Sequence, residues 1–439
     1  MTITKGSKIL GAALVLAAIT FSLAVNAKAQ TTIYTFPGKY IGGNPEGRMA
    51  VDSSGNLYGV TLFGGPNPSF CAMPGATCGT VFELSPSSSG AWTYTTLHAF
   101  TGDANGGSPF GGLVRDAAGN LYGTTAQGGN LTKCVGSTYI GQGCGVVFKL
   151  SPTASGHWQE SVLYTFQGGT DGGNPLTDLI IDSAGNLYGT TEFGGSLSGC
   201  TKMGCGVVYR LSHTATGWHE TVLRALNFSV DGQYPRDLVQ DASGNIYGAA
   251  FQGPNFVTCS EGCGLVWRLS PTASGPWNET ILYQFQGGND GANPVGGLVL
   301  DASGNLYGTA EEGGGSSSAG TVFELSPTAS GFWTETQLHL FTGPPDGKFP
   351  TTTMVFDSSG NLFGTTAFGG STNCSTNGCG TAFELSPDGH GGWSYTPLVA
   401  FDGADGYDPN VLIFGPDGNL YGTAQDGNLN YGLVYELFR

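Results

Sequence analysis

An all-β fold, a seven-bladed β-propeller with four antiparallel strands per blade, is what this sequence predicts, and three observations predict it. A Gly-Asn turn motif recurs seven times, at Gly55, Gly119, Gly185, Gly244, Gly304, Gly360 and Gly418, with a spacing of 56–66 residues. Each repeat carries four short apolar runs bounded by Gly, Pro, Ser or Asp, the pattern of strands and turns. The strand types are out of phase at the two ends of the chain, which closes a ring.

Taken in order, the first segment is not part of the fold. Lys5 and Lys8 precede an apolar run from Ile9 to Val25, and Ala27–Ala29 supplies small residues before Gln30. That is the pattern of a secretory signal peptide over residues 1–29, with cleavage after Ala29. The run is short for a membrane span, which needs roughly 20 apolar residues, and no second one follows. Residues 30–439 are then expected to be one propeller domain of 28 strands.

The fifth repeat illustrates the blade: "LVLD" (298–301), "NLYGTA" (305–310), "TVFELS" (321–326) and "TETQLHLF" (334–341). No segment shows a helical apolar period. The fourth-strand type first occurs at Ile33–Phe36, before any complete repeat, and the third-strand type last occurs at Val434–Leu437. The N-terminal strand therefore completes the last blade and leaves no broken sheet. Six connections between third and fourth strands carry Trp, at Trp92, Trp158, Trp218, Trp277, Trp333 and Trp393. The seventh connection would be the gap between the termini, which has none.

The repeat "L..D.SGNLYGTT..GG…G.VF.LSP…G.W….LY.F" resembles the GloVer-type tandem repeats of bacterial exported proteins, over nearly all of the mature chain. The resemblance implies a β-propeller similar in appearance to NHL and kelch repeats, with no established general activity. Many such proteins carry a C-terminal sorting segment; this chain, with Arg439 straight after a strand, resembles an unanchored member.

Without residues 1–29 the chain has 12 Lys+Arg against 32 Asp+Glu, a net charge of −20. Such a surface repels phosphate backbones and anionic headgroups, which argues against nucleic acid and membrane partners. A cation or a neutral polar ligand fits the field better. The 76 Gly are balanced by 18 Tyr, 25 Phe and 7 Trp, ample material for a core.

The motif D-x-x-G-N reads as turn chemistry between first and second strands. Gly supplies a positive φ, and the Asp carboxylate accepts amide hydrogen bonds within the turn. A calcium loop would need several oxygen ligands; each copy has one carboxylate, and the last replaces it with Gly415. No cofactor is expected, with Ca²⁺ the one metal left open. The small residues after "LY" are expected to let sheets approach near the axis.

Function should be sought where fourth-to-first and second-to-third connections surround the mouth of the central channel. The former place Asn105, Asp171, Asp231, Asp290, Asp346 and Asp405 in six of seven positions, with Ile41 in the first. They form either a ring that attracts a cation or sugar hydroxyls, or Asp-Gly turns. Just after the "GTT" segments the blades differ: Leu62-Phe63, Ala126-Gln127, Glu192-Phe193, Phe251-Gln252, Glu311-Glu312, Ala367-Phe368 and Gln425-Asp426. The fold does not require that variety. Phe63, Gln127, Phe193, Gln252 and Phe368 are binding candidates, since aromatics beside amides and carboxylates suit a glycan or peptide.

All ten cysteines fall in second-to-third loops as five local pairs: Cys71/Cys78, Cys134/Cys144, Cys200/Cys205, Cys259/Cys263 and Cys374/Cys379. Paired gain and loss in an exported chain argues for disulfides, whereas zinc would need four converging ligands. The six histidines map to fourth strands or third-to-fourth loops, away from the mouth, and no nucleophile elbow or phosphate loop is evident. A glycosidase would need two carboxylates with separated pKa values, for which Glu192, Glu311, Glu312 and Asp426 are the candidates. Two functions follow: a monomeric, non-catalytic exported protein that binds an extracellular glycan, peptide or protein through its mouth loops, or a glycan-active hydrolase or lyase using mouth carboxylates.

Overall fold

The computed structural model describes residues 30–439 except 39, 66–70, 72–76, 135–141, 198–199, 201, 256–257, 261, 274–275 and 427–430; the proposed signal peptide lies outside the described residues. These residues form seven antiparallel sheets, each four strands deep, in a ring. The first blade runs Gly43–Val51, Leu57–Phe63, Thr80–Pro86 and Trp92–Ala99. In the last, Gln30–Thr35 pairs antiparallel with Leu433–Leu437, Gln30 opposite Leu437, so the N-terminal strand closes the ring as the strand phasing requires. The one helical turn among the described residues is Gly315–Ser317.

Outside the first blade the inner strands are shorter than expected or split. In the fifth blade the first strand is split into Ala292–Pro294 and Val299–Leu300. All seven blades share a kink near the start of this strand. The residue before an inner-strand proline (Asn44, Ser108, Asn174, Tyr234, Asn293, Phe349 and Asp408) has φ of 50–62°. That region is sparsely populated for non-Gly residues. Its amide hydrogen bonds to the preceding blade's second-to-third loop, as Ser108 N does to Cys78 O at 2.7 Å and Asn44 N to Tyr431 O at 2.8 Å. Both kinds of connection therefore share one face.

The core is a set of layers between blades. The fourth-strand Phe of one blade meets the third-strand aromatic of the next edge-on: Phe36–Phe82, Phe100–Phe148, Phe166–Tyr209, Phe285–Phe323, Phe341–Phe383 and Phe401–Tyr435, with centroids 5.1–5.4 Å apart. Edge-to-face contact at this distance suits the ring quadrupoles. Phe36 packing on Phe82 joins the last blade to the first. The glycine after "LY" serves this packing, because a Cβ on Gly308 would lie 2.5 Å from the Phe323 ring. The small residue thus makes room for an aromatic ring within its own blade, a more local role than approach at the axis.

On the opposite face, Asp301 accepts from Ser303 N (2.8 Å), Asn305 N (2.8 Å), Asn305 Nδ2 (2.9 Å) and Tyr307 Oη (3.2 Å). The D-x-x-G-N carboxylate is fully engaged in its turn. In the seventh blade, where Gly415 stands, the carboxylate comes from Asp417, which accepts from Asn419 N and from Tyr421 Oη at 2.8 Å. The tryptophans seal the neighbouring seams edge-on against those tyrosines, as in Tyr58–Trp158 and Tyr421–Trp92.

Candidate functional site

The seven inner strands meet at the axis just after their prolines. There Gly112 N and Asp178 N donate to Asp178 Oδ1 (2.6 Å) and Asp237 Oδ1 (2.9 Å). Thr353 Oγ1 donates to Asp237 Oδ2 at 3.1 Å and accepts from Gly297 N at 2.8 Å. Arg48 Nε lies 3.5 Å from Asp178 Oδ2. These bonds link blades across the channel and constrict it. Towards the D-x-x-G-N face lies a cavity of about 590 Å³ walled by Ile180, Leu238, Val299, Met354 and Phe414. Towards the mouth lies a cavity of about 310 Å³ whose lining includes Glu46, Arg236, Thr351, Asn410 and Gln425.

The mouth cavity is polar and acidic. Arg236 lies over the Phe251 ring, 4.5 Å from its centroid. Burial lowers its pKa against the raising influence of Glu192 and Glu311 from the flanking blades. Glu192 accepts from Asn174 Nδ2 at 2.6 Å. Burial pushes its carboxyl above the usual range despite Asn174 and Arg236. Glu311 is likewise raised by burial, with Arg236 opposing and Glu312 adding to the shift. Across the cavity Glu46 is 6% exposed and accepts from Gln425 Nε2 at 3.3 Å. Burial and Asp408 hold it well above the carboxylate range. Burial and Asp178 push Asp237 up to about 6. Burial is the main cause of each rise, and it favours the neutral acid over the carboxylate.

The structure sorts the sequence candidates into three places. Glu192 and Glu311 stand beside Arg236, and Gln425 lines the axial cavity itself. The chain neighbours of Glu192 and Glu311 line other places. Phe193 lines a rim cleft with Cys134 and Cys144, Glu312 lines another with Cys259, and Phe368 packs between Phe349 and Tyr407. Gln127 and Gln252 are buried, Gln252 accepting from Gln233 at 2.5 Å. Phe63 is half-buried at the end of its strand. The side chain of Asp426 lies outside the described residues.

The third place is the outer loops, where the aspartates make the contacts of the turn reading, one of the two that the sequence leaves open. Asn105, Asp171, Asp231, Asp290, Asp346 and Asp405 cap their own loops at the outer strands, and none lines the axial cavity. Asp171 accepts from Gln167 N (2.9 Å) and Tyr164 Oη (3.0 Å), and Asp290 from Gln286 N (2.8 Å) and Tyr283 Oη (2.9 Å). Asp231 holds Arg224 at 2.5 Å, and Arg224 reaches Glu279 of the next blade at 2.6 Å. Asp346 meets His339 at 3.2 Å, Asn105 meets His98 at 3.3 Å, and Asp405 accepts from Asp402 N at 2.7 Å. The Phe-x4-Asp spacing sets a turn cap seven residues after a fourth-strand partner.

The cysteines form five disulfides, Cys71–Cys78, Cys134–Cys144, Cys200–Cys205, Cys259–Cys263 and Cys374–Cys379, with Cα–Cα distances of 5.2–5.4 Å. They fit an oxidising, exported environment. Each second cysteine offers the carbonyl that the next blade's kinked residue hangs on, so the bridges brace the mouth. Among the described residues no group of three or more His, Cys, Asp or Glu could hold a metal ion, and no helix is long and apolar enough to cross a membrane.

The axial residues Glu46, Asp178, Arg236 and Asp237 escaped sequence reasoning. They follow the prolines in "NPEGR", "NPLTD" and "YPRD", segments too short for periodicity, and the variation there was the available signal.

The Gloeobacter/Verrucomicrobia repeat matches residues 16–201 and 257–438. No curated protein matches the sequence. Among solved structures, a gluconolactonase from Xanthomonas campestris is 14% identical, with 66% of this chain and 78% of that one covered and a TM-score of 0.39. A luciferin-regenerating enzyme is 13% identical, with 94% and 95% covered and a TM-score of 0.41. These distant likenesses concern the fold alone.

Proposed function

The chain belongs to the Gloeobacter/Verrucomicrobia repeat family, and from that premise we propose that it is an exported, non-catalytic binding propeller. Its mouth face engages a glycan, peptide or protein, with a polar, uncharged or cationic group of the ligand entering the axial cavity. The observation that carries this reading is the mouth cavity of about 310 Å³, walled by Glu46, Arg236, Asn410 and Gln425 above the Asp178–Asp237–Thr353 constriction. Its size is at the lower end of small-ligand pockets, and its polar groups come from several blades. Arg236 lies over the Phe251 ring, feels the Glu192 and Glu311 carboxylates, and keeps a buried Nε without a hydrogen-bond partner, a donor that hydroxyl groups of a ligand would satisfy. The disulfide-braced loops supply a rigid rim, which lowers the ordering cost of binding.

The enzymatic alternative rests on Glu192 and Glu311, whose carboxyls are raised by burial, as a general acid requires. A polysaccharide and peptide array with product analysis separates the readings. Saturable binding without product, weakened by Arg236→Met, supports the binding protein. Turnover abolished by Glu192→Gln or Glu311→Gln would replace it with the hydrolase or lyase.

A further inference from the structure

The mouth face holds a second cavity, unrelated to the axis. About 510 Å³ opens between the disulfide loops of the second and third blades, lined by Cys134, Cys144, Phe193, Leu197, Lys202 and Met203 among several glycines. Most of these glycines serve the scaffold, since a Cβ on Gly143, Gly168, Gly194 or Gly195 would strike neighbouring atoms. Gly169 meets nothing nearer than 4.0 Å where a Cβ would stand. Leu197 is 67% exposed, and Phe193 has Tyr234 edge-on at 6.4 Å.

The same architecture recurs two blades on with different chemistry. There the disulfide cysteine is Cys259, Gly287 stands for Gly168 and Asn293 for Asn174, while Glu312 replaces Phe193. Common scaffolding explains the glycines and the asparagine. It does not explain why one cleft presents Phe193, Leu197, Met203 and Lys202 and the other Phe251 with a carboxylate and no cation on its lining.

Charge defines the occupant further. Lys202 is exposed and makes no ion pair among the described residues. The nearby Asp171 carboxylate is engaged by Tyr164, Gln167 and Gly169, and Glu192 is turned to Asn174. At physiological ionic strength the Debye length is about 8 Å, so remote acids of this negative chain act weakly at the cleft. Lys202 is the one cation on the cleft lining, which it shares with the Phe193 ring, while the Asp171 and Glu192 carboxylates stand behind the lining residues Gly169 and Asn174.

We propose that this cleft is a second binding site, for a ring bearing a carboxylate: the apolar face of the ring packs on Phe193 and the carboxylate pairs with Lys202. An acidic sugar and an aromatic acid share that chemistry. Calorimetric titration of digalacturonate, benzoate and neutral cellobiose into the full mature protein tests it. Variants Phe193→Ala, Lys202→Gln and, in the corresponding cleft, Glu312→Gln are compared with the parent. Expected is binding of digalacturonate or benzoate, the tighter one naming the source, weakened about tenfold by Lys202→Gln and by Phe193→Ala (~1.4 kcal/mol) and unchanged by Glu312→Gln. Cellobiose binds more weakly than digalacturonate. Binding of neither acid, affinity unchanged in Lys202→Gln, or equal affinity for cellobiose overturns the proposal. None of these outcomes alters the axial reading, which is probed through Arg236.

Discussion

Arg439 donates to Asp357 at 2.6 Å and lays its guanidinium over the Phe363 ring, 4.6 Å from the centroid. This one side chain supplies two contacts that the other seams obtain elsewhere. In blades with Tyr at the position of Phe363, the phenol completes the bonds to the turn aspartate, as Tyr307 does for Asp301. There, too, the next blade's Trp covers the ring, as Trp393 covers Tyr307. Blade six has Phe363, and no Trp precedes the fourth strand of blade seven. Arg439→Ala should therefore cost about 1–3 kcal/mol, from a charged hydrogen bond and a cation–π contact. Phe363→Tyr in that background should recover part of the loss in denaturant titrations.

Asp301→Ala should destabilise the protein by about 1–3 kcal/mol, since it leaves Asn305 and Tyr307 without their acceptor. Chelator treatment should leave the parent's thermal midpoint unchanged, because the Asp301 oxygens are engaged by the turn itself. A calcium-dependent midpoint abolished by Asp301→Ala would restore the metal-loop reading.

Two seams half-bury a glutamate near an aspartate and a tyrosine: Glu220 with Asp171 and Tyr164, and Glu335 with Asp290 and Tyr283. Burial, then the neighbouring aspartate, pushes each glutamate up to about 7. A carboxyl with a raised folded-state pKa contributes stability that is complete below its unfolded value, near 4.5, and lost as pH rises through 7. The turn aspartates act oppositely. Burial disfavours their ionisation, but bonds from Asn56 and Tyr58 hold Asp52 below its ordinary value, and Asn120 and Tyr122 do so for Asp116. Their contribution is lost as pH falls through the acid range. These groups make the thermal midpoint fall between pH 5 and 8, and Glu220→Gln should flatten that fall by about 2–4 °C.

Non-reducing mass spectrometry of protein made in an oxidising compartment should find ten paired cysteines. Removing one bridge with Cys259→Ser and Cys263→Ser should cost about 2 kcal/mol in the chain-entropy account of so short a loop. The effect should be local to the mouth, where Cys263 O receives Asn293 N at 2.8 Å.

The sequence disclosed the blades better than the site, for a physical reason. A hairpin turn constrains which residues can occupy it, so Asp301, Gly304 and Asn305 recur as a readable word. The disulfides were legible because cysteines came and went in pairs. The axial wall is different. Glu46, Asp178, Arg236 and Asp237 converge only because the ring closes, and nothing local in "NPEGR" or "YPRD" marks them. The loop aspartates allowed two readings, a ring or turns; Asp171 and Asp290 each serve a private turn and a seam at the outer strands. The variable pairs after "GTT" divided by strand alternation, with Glu192 and Glu311 beside the axial Arg236 and Phe193 and Glu312 facing rim clefts.

The most direct test of the binding account is calorimetric titration of the strongest array ligand into the parent, Arg236→Met and Glu46→Gln, with product analysis of each mixture. The account predicts saturable binding by the parent, affinity reduced about tenfold or more in both variants (~1.4 kcal/mol per decade), and ligand recovered intact. Unchanged affinity in both variants, or ligand cleaved by the parent and spared by Glu311→Gln, would contradict it.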